Sequence, residues 1–114
     1  MTVKNYKIKS RVWVDGEFGT FLAEGRIALL KEIISTGSIS SAAKQMKMSY
    51  KKAWEMIDAM NKEAEQPLVV RVSGGKGGGG TQVTKEGEKM IKLFEKLNKN
   101  CQTYLDKELI KIFG

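Results

Sequence analysis

A chain of 114 residues with 41% hydrophobic side chains has enough apolar material for one core and not for two, and its 29% charged content is that of a folded protein, which sets disorder aside. The net charge of +7 and a pI near 9.5 favour polyanionic partners, nucleic acid first and an acidic membrane surface second. The absence of histidine and the single cysteine, Cys101, remove the usual general base, the commonest transition-metal ligand and any internal disulfide. That argues against an enzyme, a bound metal or a cofactor, and fits a reducing cytoplasm.

No apolar run opens the chain, so no signal peptide is read, and no stretch approaches the ~20 apolar residues that a membrane span needs. Residues 4–22 alternate. Tyr6, Ile8, Val12 and Val14 fall on one side, and Lys7, Lys9, Arg11 and Trp13 on the other. This period of two predicts a β-hairpin turning at Asp15-Gly16, with Glu17 to Leu22 as the return strand. An isolated hairpin is marginal in water, so this one must pack on helices or on a second subunit. It is either a structural flap or, through Lys7, Lys9 and Arg11, an extension of a basic surface.

Three helices are expected over residues 24–64. The first, Glu24 to Thr36, carries Ile27, Leu30, Ile33 and Ile34 at helical spacing and stops at Gly37; Arg26 and Lys31 are read as solvated. The second is capped by Ser38 or Ser40 and runs to about Met46, with Ala42 and Ala43 small so that another helix passes close by. Met46 and Met48 are read as core plugs on either side of Lys47. The third opens at Ser49 and continues to about Ala64, with Ala53, Trp54, Ile57 and Met60 on one side and Lys51, Lys52 and Glu55 on the other. Two short helices joined by a tight turn form a helix-turn-helix. Helix-dipole logic would place acids in the first turn of a merely solvated helix, so Lys51 and Lys52 there need another reason, and a phosphate backbone supplies one. Tyr50 sits nominally on the apolar side, although at the first turn it can swing out toward sugar-phosphate.

Gln66-Pro67 ends the helical region. Leu68 to Val72 and Thr81 to Thr84 read as paired strands around a glycine-rich tip. The pattern of a phosphate-binding P-loop is not met, because Lys76 is followed by Gly77 and the loop joins two strands instead of opening a helix. The tip is better read as a wing that approaches phosphate or the minor groove, with Arg71 and Lys76 as flanking cations. Thr84 caps a last helix over residues 85–113, with Glu86 and Glu88 in its first turn. Met90, Phe94, Leu97, Cys101 and Tyr104 follow at four-three spacing, and Leu105 begins a continuation one position out of step. A heptad-like seam on a helix of ~43 Å outruns so small a domain and points to pairing with a second chain, with Cys101 as a small apolar member of the seam.

The segments GSISSAAK at 37–44, MSYKKAWEMIDAMN at 48–61 and GGKGGGGTQVTKEG at 74–87 resemble the N-terminal DNA-binding domain of the ModE family of molybdate-responsive transcriptional regulators, of LysR-like winged-helix type, and its small stand-alone relatives. The resemblance spans nearly the whole chain. It implies a winged-helix homodimer on a palindromic operator, with Ser49, Tyr50, Lys51 and Lys52 as groove and backbone contacts and Lys76 at the wing tip. Full-length members of the family continue into small β-barrel domains that bind the oxyanion. This chain stops at Gly114, so no effector site is expected in it.

The expectation is therefore a single domain over residues 1–114, of α+β class and mainly α: a winged helix-turn-helix with a wing hairpin over 68–84 and a long dimerisation helix. Its function is sequence-specific, double-stranded DNA-binding regulation without a membrane. The DNA face adds Ser38, Ser40 and Glu55, the last able to accept a hydrogen bond from a cytosine amino group. A protein-interaction module working with a molybdenum-related partner is the rival from another class, helped by the repulsion between Glu55 and phosphate. Salt-insensitive or absent DNA binding would favour it.

Overall fold

A computed structural model of the chain describes residues 5–73 and 80–114, in the order β1 (Trp13–Asp15), β2 (Thr20–Ala23), α1 (Glu24–Thr36), α2 (Ile39–Gln45), α3 (Tyr50–Glu63), β3 (Val69–Val72), β4 (Gly80–Val83) and α4 (Lys85–Phe113). Helix α1 is central, touching α2, α3, α4, β2 and β4. Because neighbours flank it on more than one side, its buried surface is wider than one stripe: Leu29 joins Ile27, Leu30 and Ile33 in the core. Ile34, expected to face inward, is 51% exposed instead. It lies beside β4 at the edge of a shallow depression with Gln82 and Glu88. Gly37 ends the helix in the left-handed region (φ 71°) and donates its N–H to Ile33 O at 2.7 Å, a conformation that glycine adopts without Cβ strain.

Each helix of the motif opens on a hydroxyl cap. The Ser38 Oγ accepts from Ser41 N at 3.1 Å, and the Ser49 Oγ accepts from Lys52 N at 3.0 Å. Ser38 is thus the cap that the sequence left open between two serines; Ser40 lies inside α2 and is exposed. The connection is tight because Lys47 takes a left-handed conformation (φ 56°), which costs a non-glycine residue ~1 kcal/mol. The bend turns Met46 and Met48 inward together, half-buried against the core. Ala42, Ala43 and Ala53 are buried where α2 and α3 meet α1.

The hairpin differs from its expectation. Strands occupy only Trp13–Asp15 and Thr20–Ala23, paired from Trp13–Ala23 to Asp15–Thr20 with an irregularity between Val14 and Asp15. Its turn closes from Gly16 N to Gly19 O at 2.7 Å, so the return strand begins at Thr20, not Glu17. The reason is tertiary. The Phe18 N–H goes to Glu63 Oε2 at 2.7 Å and Lys62 sits 4.7 Å over the Phe18 ring, which holds the tip on the end of α3. A four-residue return strand has no partner for residues 5–12. That segment runs along α4 instead: Gln102 Nε2 donates to Ile8 O at 3.0 Å, and Tyr6 meets Phe113 edge-on at 6.2 Å. Ile8, Val12 and Val14 are half-buried, as the alternation predicts, while Tyr6 remains 60% exposed.

Strands β3 and β4 pair antiparallel from Val69–Val83 to Val72–Gly80. Two anchors hold them to the helices. Asn61 of α3 bonds the start of β3, and Thr81 N donates to Gly37 O at 3.3 Å. At the entry to α4, the Thr84 Oγ1 accepts from Gly87 N at 3.0 Å and donates to Pro67 O at 2.7 Å. Only the first turns of α4 reach the core, through Gly87, Ile91 and Phe94. Beyond them the helix projects, and the molecule measures 59 × 28 × 22 Å with a radius of gyration of 17.4 Å, against ~13 Å for a sphere-like chain of this length.

Candidate nucleic-acid interface

The N-termini of α2 and α3 and the strands β3 and β4 converge on a cleft of about 420 Å³, lined among others by Ser38, Ser40, Tyr50, Trp54, Arg71 and Thr81. Four of the residues predicted to meet DNA (Ser38, Ser40, Tyr50 and Arg71) are thereby gathered from three separate elements into one place. They meet because α2 and α3 both present their first turns to this side, and because β3 runs back along α3 from the Asn61 anchor.

Lys51, Lys52 and Glu55 lie on the exposed side of α3 next to this cleft. No acid occupies the first turn of α3. Among the described residues the ion pairs are Lys31–Glu95 and Lys111–Glu108. Hence no carboxylate neutralises Lys51 or Lys52, although Glu55 stands one turn away at the spacing that normally pairs them. Their charges add to the positive end of the helix dipole, which is an arrangement that repels itself and attracts an anion. Lys44 and Lys47 are also exposed along the turn of the motif. The sequence reading assigned neither to the DNA face; their signal was their place in and beside the helix-turn-helix connection.

Trp54 is the larger surprise. It packs against the core, as helical spacing predicts, but it is only half-buried: one face carries the Arg71 guanidinium at 4.0 Å from the ring centroid, and Tyr50 meets it edge-on at 6.3 Å and 75°. Tyr50 is itself 52% exposed, so its side chain is available at the cleft. Lys76 and the rest of the glycine tip at 74–79 lie outside the described residues. Among the described residues, no group of three or more acidic or cysteine side chains is placed to hold a metal ion, and no helix is long and apolar enough to cross a membrane.

The predicted seam of α4 divides in two. Phe94 is 4% exposed and Met90 packs against the same core, so both cover their own chain. From Leu97 onward the side chains open outward: Leu97 is 45% and Tyr104 62% exposed, with Cys101 and Leu105 half-buried. Cys101 is a free thiol.

Residues 25–88 match the bacterial regulatory helix-turn-helix protein, lysR family, a span that runs from α1 through both wing strands into α4. The chain is also similar to a molybdenum transport protein ModE of Azotobacter vinelandii, 46% identical over 98 residues that cover 86% of this chain and 36% of the relative. It is 47% identical over 81 residues to the DNA-binding transcriptional dual regulator ModE of Escherichia coli K12, covering 71% and 31% respectively. A transcriptional regulator ModE of Yersinia pestis is 54% identical over 72 residues, 63% of this chain and 27% of that protein. The chain thus spans about a third of the length of these relatives.

Proposed function

The chain belongs to the lysR family of bacterial regulatory helix-turn-helix proteins, and from that premise we propose that it is a sequence-specific, DNA-binding transcriptional regulator that works as a homodimer in the cytoplasm and performs no catalysis. The observation that carries the reading is the pair Lys51 and Lys52, unneutralised among the described residues on the first turn of a capped α3. In the proposed complex α3 enters the major groove, Glu55 accepts from a cytosine amino group, and the lysines meet phosphate. Affinity then comes largely from counterion release and falls steeply with salt. The names of the similar proteins supply the process: molybdenum-related gene regulation.

Two copies would set their α3 helices in successive grooves ~34 Å apart. The exposed apolar side chains beyond Phe94 on α4 support that pairing. Sedimentation of the free chain at micromolar concentration tests it, since a clean monomer removes the dimer from the proposal. The DNA reading is tested with Lys51→Ala/Lys52→Ala in an anisotropy titration against duplexes selected from a random pool. The expected result is a preserved fold, weaker binding and a log–log salt slope reduced by about 2, near 1 per lost phosphate contact. Unchanged affinity and slope would refute the assignment of α3.

A further inference from the structure

We propose that Trp54 is a positioning residue for DNA binding: its indole face holds the Arg71 guanidinium across the cleft between α3 and the wing, where Arg71 takes one DNA backbone phosphate. This rests on the DNA-binding reading above and assigns a role within it to a tryptophan that spacing alone places in the core.

The geometry has three parts. Arg71 follows buried Val69 by two residues in β3 and so shares its face toward α3, although its own side chain is exposed. The guanidinium carbon lies 4.0 Å from the Trp54 ring centroid, within the range of a cation–π contact. A stacked guanidinium uses its flat face and leaves its N–H edge free, which is the edge that grips a phosphate. Among the described residues no carboxylate takes that edge. The cleft beside it is also lined by the Ser38, Ser40 and Thr81 residues and holds no acid in its lining.

The indole packs against the core and carries one cost there. Its Nε1–H is buried without an acceptor among the described residues, a cost that phenylalanine would not carry. Phenylalanine leaves part of the indole's space against the core unfilled, and for holding a cation the larger indole face is better. Trp54→Phe therefore acts on stability as well as on DNA affinity, and the dependence on Arg71 separates the two. The stack also fixes a flexible arginine before DNA arrives, so that less rotamer freedom is lost on binding. Tyr50 meets the same ring edge-on.

The test is a double-mutant cycle on the full chain, using Trp54→Phe, Arg71→Ala and the double variant. The probe is a fluorescein-labelled mixed-sequence duplex, because a phosphate contact is independent of sequence. Trp54→Phe should weaken binding about three- to tenfold in the parent and have no effect in the Arg71→Ala background. Arg71→Ala should lower the salt slope by about 1. Equal losses from Trp54→Phe in both backgrounds, or no loss in the parent, would overturn the proposal. A purely structural defect falls in the first of these classes, since it acts whether or not Arg71 is present. Lys51→Ala/Lys52→Ala, measured alongside, separates the two readings. If it weakens binding while the cycle is additive, only the role of Trp54 is lost. If the parent binds no DNA, both fall.

Discussion

Replacing Asn61 with alanine should detach the wing from α3, and the structure sets the size of the effect. The Asn61 Oδ1 accepts from the N–H groups of Leu68 at 2.8 Å and Val69 at 3.3 Å, and its Nδ2 donates to Val69 O at 3.0 Å. Leu68 is 0% and Val69 3% exposed, so water does not readily replace the lost acceptor. One buried donor left unmet costs ~1–3 kcal/mol, and the two weaker bonds add ~0.5–1.5 kcal/mol each. Alanine returns ~0.5 kcal/mol through better helix propensity. The net loss is about 1.5–5.5 kcal/mol, and its central value near 3.5 kcal/mol lowers the thermal midpoint by roughly 14–28 °C at about 4–8 °C per kcal/mol. Asn61→Asp keeps the acceptor but sets a carboxylate oxygen against the Val69 carbonyl that Nδ2 donates to, so it should remain well below the parent. Urea unfolding followed by circular dichroism measures all three. A loss below ~0.5 kcal/mol for alanine would refute the claim that this side chain ties β3 to α3.

Two further substitutions test opposite intuitions. Gly87→Ala gains ~1 kcal/mol of helix propensity, but the new Cβ would lie 2.5 Å from Leu68 O and 2.6 Å from Val83 Cγ1. Overpacking against backbone costs ~1–3 kcal/mol, so unfolding should show a net loss; a stabilised variant would show that the α4 entry yields. The Lys31–Glu95 pair joins α1 to α4, yet its side chains are 53% and 48% exposed. Lys31→Ala should therefore shift stability by no more than ~0.5 kcal/mol, and a larger shift in the urea midpoint would contradict that.

Local chemistry made much of the helical part legible. The caps at Ser49 and Thr84 and the glycine stop at Gly37 act within a few residues, so spacing and residue type are enough to read them. Errors gathered where a segment had a choice of neighbours. Alternation over residues 5–12 indicates two-sidedness equally for a strand and for an extended segment lying on a helix, and α4 captured it through Gln102 and Phe113. Ile34 is exposed although it continues the apolar stripe of α1, because the stripe is set by where α2, α3 and α4 stand around it. Met90 and Phe94 belong to a regular seam that the core claims first.

The sequence by itself determined the helix-turn-helix, its cap at Ser49, the basic first turn of α3 and the likeness to one family of regulators, since each depends on residues close together in the chain. Only the tertiary structure decided that Ser38, Ser40, Tyr50 and Arg71 share one cleft and that Trp54 lies beneath Arg71. Positions 54 and 71 are on different elements with a proline bend between them. Whether a tryptophan is core or platform depends on which strand returns beside it, and that is settled by long-range anchors such as Asn61 and Gly37, not by helical period.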